Sequence, residues 1–60
     1  MNRVVKILMK RDNIDRETAE ALVRETRDEI MCLENPLDAD QIIADYLELE
    51  PDYIEDIIYF

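Results

Sequence analysis

The sequence predicts an all-α fold, and three observations carry that expectation. The chain has no glycine, and its two prolines stand where helices would begin. No long run alternates apolar with polar residues as a half-buried strand would. Apolar residues recur instead at the i, i+3, i+4, i+7 spacing of a helix that buries one stripe. A compact mini-domain of about four helices follows, the second the longest, closed by a C-terminal helical hairpin.

The first helix is expected over residues 2–11. Val4, Val5, Leu8 and Met9 lie along one side, and Arg3, Lys6 and Lys10 occupy another, before Asp12, Asn13 and Ile14 interrupt it. The second helix has the clearest signal. Asp15 is placed to cap it, and Ala19, Leu22, Val23, Thr26, Ile30 and Leu33 form one buried stripe. Glu20 and Arg24 are ordered as a favourable i, i+4 pair on the solvent side. Asn35-Pro36 ends this helix, because the proline ring disfavours helical geometry in the residue before it. At the third helix Asp38 and Gln41 read as a capping box, with Leu37 and Ile42 as a hydrophobic staple. Ile43, Tyr46 and Leu47 continue its apolar side. At the fourth, Pro51 takes the first helical position, and Leu49 with Ile54 forms a second staple.

Sixty residues make a single helical domain, residues 1–60, near the lower limit for a chain folding alone without metal or disulfides. Apolar residues are 48% of the chain, enough for a small core with some surface left for a second copy. The single cysteine, Cys32, excludes an intramolecular disulfide and fits a reducing cytoplasm. Its position near the apolar stripe predicts a buried, inert thiol. No histidine is present, which removes the commonest general base and metal ligand. The apolar run in Met1–Met9 is short and broken by Lys6, so it reads neither as a signal peptide nor as a membrane span. A cytoplasmic protein is expected.

The net charge of −9 is unevenly distributed. Residues 1–30 hold all seven basic side chains and seven acidic ones, whereas residues 31–60 hold nine acidic and no basic ones, so the second half carries the entire excess. Arg3, Lys6, Lys10 and Arg11 precede the first acid. Such polarity bears on partners and association. Catalysis has little support, since helix-surface carboxylates that share water lack the differing environments of an acid–base pair. Glu48, Glu50, Asp52, Glu55 and Asp56 lack the spacing and the glycine of a calcium loop. No cofactor and no metal site are expected.

Residues 40–59, "DQIIADYLELEPDYIEDIIY", resemble the helix-turn-helix family. The resemblance rests on Ala44 as the small residue where two helices touch, Ile43 and Leu47 before the turn, Leu49 after it, and Ile54 and Ile57 in the second helix. That family usually has glycine at the turn. Glu48 stands there in this chain, which predicts a looser or more helical connection. The resemblance implies a recognition helix, but at 100° per residue Asp52, Glu55, Asp56 and Tyr59 occupy its outward face. Carboxylates there would be repelled by the phosphates of duplex DNA. Direct nucleic-acid binding is therefore not expected. In style, the chain is similar to the small acidic proteins of phages and mobile elements, among which anti-restriction and anti-CRISPR inhibitors occur.

Two functions of different class fit these features. One is a non-enzymatic protein that engages a basic protein surface, possessing carboxylates in place of phosphates in the manner of a DNA mimic. The contact residues would be Asp45, Glu48, Asp52, Glu55, Asp56 and Tyr59. The alternative is a small homodimer of structural or regulatory role, without DNA contact, in which the acidic half captures the basic face of the first helix. That capture can also occur within one chain. Phe60 is expected to dock, either into this fold or into a partner, and Tyr59 to supply apolar contact at an acidic-rimmed interface.

Overall fold

The computed structural model describes residues 2–35 and 38–60, and the chain in it is all-helical. Among these residues four α-helices follow one another: α1 (Arg3–Asp12), α2 (Arg16–Met31), α3 (Ala39–Leu47) and α4 (Ile54–Ile58). A 3-10 turn, Pro51–Tyr53, leads into α4. The radius of gyration, 10.7 Å, is close to the roughly 10 Å expected of a folded chain this short.

Each boundary has a local cause. Asn2 begins α1 by accepting from the backbone N–H of Val4 at 2.8 Å and of Val5 at 3.4 Å. Asn13 ends it in the left-handed region, φ 53°, which asparagine tolerates better than most residues. Asp15 caps α2 as expected, accepting from Thr18 N–H at 2.9 Å. The helix stops at Met31, short of the expected Asn35-Pro36 boundary, and the N–H of Cys32 closes its last turn. Asp28 and Glu29 lie near that end with no basic residue in the last turn, so their charge opposes the helix dipole.

At α3 the expected capping box is absent. Asp38 has helical backbone angles and its side chain caps nothing, while Gln41 donates along the helix to Asp45 at 2.9 Å. A residue already in the helical region cannot aim its side chain back at the first free N–H groups. Pro36 and the Leu37 half of the Leu37–Ile42 staple lie outside the described residues. Glu48 closes α3, and its geometry corrects the expectation of a looser turn. Its backbone is left-handed, φ 54° and ψ 41°, and its N–H bonds the Ala44 carbonyl at 3.1 Å. The turn is thus as tight as a glycine would make it. Arg11 supports it from α1, donating to the Glu48 carbonyl at 3.3 Å.

The core is one cluster: Val4, Val5 and Leu8 of α1, Ala19 and Val23 of α2, Ile43 and Leu47 of α3, and Ile57 of α4. α2 packs against each of the other three helices. Thr26 is buried on its stripe, and its hydroxyl donates to the Leu22 carbonyl at 2.8 Å, so the polar atom enters the core with its bond made. Leu49 and Ile54, the second staple pair, both rest partly buried against the core. Ala44 is exposed, so it is not the helix-contact residue that the family resemblance implies. Glu20 pairs with Arg16, not Arg24, at 3.4 Å; Arg24 lies over the Phe60 ring, 5.7 Å from its centroid. Cys32 is exposed and not buried as expected; nine residues after Val23, it falls on the face of the helix opposite the buried stripe.

Candidate functional site

The six residues assigned to a partner contact fall into different surroundings. Asp45 belongs to the first. It lies on α3 beside Tyr46, whose side chain is 46% exposed. The Tyr46 phenol is held above its ordinary pKa chiefly by the charge of Glu29, then by partial desolvation and the charges of Glu25 and Asp45, with a hydrogen-bonding contribution from Glu29. Ionising the phenol would add a negative charge where three carboxylates already stand. Glu25 and Glu29 are one helical turn apart on α2 and therefore share a face. The packing of α2 on α3 brings that face to Asp45 and Tyr46. The result is an exposed aromatic side chain with carboxylates from two helices around it.

Asp56 lies in the second setting. Its carboxylate accepts from Arg3 Nε at 2.8 Å and also from Arg3 Nη2. The Arg3 guanidinium lies over Tyr53, 5.2 Å from the ring centroid, and Glu55 adds to the negative potential that raises its pKa, after the Asp56 hydrogen bond and charge. Asn2 ties the same place down by donating to the Asp56 carbonyl at 2.7 Å. Capture of the basic helix by the acidic half thus takes place within the chain, at Arg3. Asp56 is committed to that pair, and its side chain is 27% exposed.

Glu48, Asp52 and Glu55 are exposed. None of the three has a basic side chain within ion-pair distance among the described residues. Tyr59 is 84% exposed, the most open large apolar side chain in the structure among the described residues. Phe60 behaves oppositely and docks into this fold. It packs against the core, under Arg24, and its carbonyl accepts from Arg27 Nη1 at 3.4 Å.

Part of the acidic surface has a structural cause. Asp52, Glu55 and Asp56 stand at the beginning of the last helical segment, where negative charge offsets the positive end of the helix dipole. Glu25 and Glu29 have no such role in the middle and end of α2, where like charges one turn apart are mildly destabilising. Sequence reasoning passed over both. Their i, i+4 spacing was visible, but only the packing of α2 on α3 connects them to Tyr46. Among the described residues no three His, Cys, Asp or Glu side chains are arranged to hold a metal ion, and no helix is long and apolar enough to cross a membrane.

No family model matches the chain, and neither a curated protein nor a solved structure does.

Proposed function

We propose that this chain is a non-enzymatic binding protein that engages a basic protein surface through its carboxylates. Tyr46 is the observation that carries the reading: an exposed phenol within the negative field of Glu29 first, and of Glu25 and Asp45 with it. Aromatic side chains concentrate binding energy at interfaces, while a charged rim steers the encounter and sets its salt dependence. In the finer form of the proposal the carboxylates imitate phosphates, and the partner is a nucleic-acid-binding protein. Glu48, Asp52, Glu55 and Tyr59 extend the acidic surface over the C-terminal segment. Asp56 is left out of the contact because Arg3 already occupies it.

Two variants separate the faces. Glu25→Gln with Glu29→Gln and Asp45→Asn removes charge around Tyr46, and Asp52→Asn with Glu55→Gln removes it beside α4. Each tagged protein, and the wild type, is used to capture partners from nuclease-treated bacterial lysate at low salt. A partner held by the wild type and lost by the Tyr46-face variant supports the proposal. Loss confined to the α4 variant moves the contact to Asp52 and Glu55. A partner retained equally by all three proteins contradicts it. Displacement of the retained partner's own nucleic acid by the chain then tests the mimic form.

A further inference from the structure

α1 also carries a basic surface, which meets the acidic segment at Arg3. Its outer side forms one wall of an open groove of about 640 Å³ lined by Arg3, Lys6, Ile7, Met9, Lys10 and Tyr53. The volume falls within the range of small-molecule sites, roughly 300–1,000 Å³. Arg3, Lys6, Ile7 and Lys10 follow the i, i+3, i+4, i+7 spacing that places them on one helical face, along about 10 Å of helix. Ile7 and Tyr53 are partly buried and supply the apolar floor, while Met9, about 200° around the helix from Ile7, borders the groove from beyond Lys6. Tyr53 is held in place by the Arg3 guanidinium, which Asp56 fixes in turn. Lys6 and Lys10 differ from Arg3, being exposed and without an ion-pair partner among the described residues.

An apolar floor with two free ammonium groups at its rim matches a molecule with an apolar body and an anionic head. The charge of the whole chain decides which kind. A body at −9 repels an anionic partner in proportion to that partner's own charge. Nucleic acid, an anionic membrane and a second copy of this chain each carry many charges over an extended surface. A monoanion carries one, and within a Debye length, about 8 Å at physiological salt, it responds mainly to the nearby lysines.

We propose that this groove binds a free amphiphilic monoanion of the fatty-acid type, with its chain along Ile7 and Tyr53 and its carboxylate between Lys6 and Lys10. The proposal does not rest on the Tyr46 face, so the failure of one leaves the other standing. Each methylene laid on this open floor is covered on one side and should tighten binding by about twofold.

The test titrates the full chain with decanoate, with decanol as the uncharged probe, and follows backbone amide shifts by NMR. Decanoate is expected to move the amides of α1 and of Tyr53, and to bind more tightly than decanol. Lys6→Gln with Lys10→Gln should weaken decanoate by about tenfold, as expected for two exposed charge contacts, and leave decanol unchanged. Glutamine keeps the helix propensity of these exposed positions, and circular dichroism checks that the variant folds. Should it not fold, 1 M salt on the wild type replaces it and should remove the preference for decanoate. Equal binding of the two probes, or shifts elsewhere in the chain, would overturn the assignment. So would a mass that doubles with concentration in the wild type and stays monomeric in the double variant, because the groove would then hold a second copy.

Discussion

Replacing Glu48 with glycine should make the protein more stable, although it removes a side chain and adds none. Glu48 has a left-handed backbone, φ 54°, a conformation that costs an L-residue with a Cβ roughly 1–2 kcal/mol. Glycine removes that cost but loses more backbone entropy on folding, which takes back roughly 0.5–1 kcal/mol. The net gain is about 0.5–1 kcal/mol, or a melting temperature higher by about 4–8 °C in a domain of this size. The bonds that define the turn survive the change, since the Glu48 N–H to Ala44 bond and the Arg11 bond to the Glu48 carbonyl both use the backbone. Glu48→Ala is the control: it discards the same carboxylate and keeps the Cβ. Thermal denaturation of the three proteins at one pH and salt concentration decides the matter. Glu48→Gly should melt above both others. If it melts no higher than Glu48→Ala, the turn is not left-handed at this residue and the reasoning fails.

Three further outcomes follow from the caps and the cysteine. Asn2→Ala should destabilise the protein by about 1 kcal/mol through loss of the α1 cap, and by more where Asn2 also satisfies the Asp56 carbonyl; chemical denaturation measures the sum. Asp15 has its pKa lowered, chiefly by its hydrogen bonds from Thr18, so the stability it adds is present above the ordinary carboxylate value and is lost as pH falls through its folded pKa. Asp15→Asn keeps the cap without the titration, and should therefore lose less stability than the wild type as pH falls below about 4, read from melting curves across that range. Cys32 is exposed, and should react fully with a disulfide reagent in the native protein, at a rate that denaturant does not raise severalfold. A buried thiol would react only on unfolding.

The helices were legible where one residue type both packs and punctuates. The period of Ala19, Val23 and Thr26 placed the buried stripe of α2, and Asp15 placed its start. Val4, Val5 and Leu8 likewise identified the inner side of α1. Reading failed where backbone angles decide the outcome. Asp38 had the sequence of a capping box but helical angles. Glu48 argued against a tight turn, yet the turn forms with a non-glycine residue in the left-handed region. The candidate site was legible only in its charge. The acidic excess of residues 31–60 is plain in the sequence, and so is the exposure expected of Tyr59. That Asp56 is held by Arg3, and that the charges of Glu25 and Glu29 reach Tyr46, depend on which helix faces pack together, which no local pattern states.

The most direct measurement is the affinity of the captured partner across a salt series, for the wild type and for the variant neutralised at Glu25, Glu29 and Asp45. With the Tyr46 face as the contact, log affinity falls steeply with log salt for the wild type, and the variant binds more weakly with a shallower slope. Equal affinity and equal slope in the two proteins would contradict it.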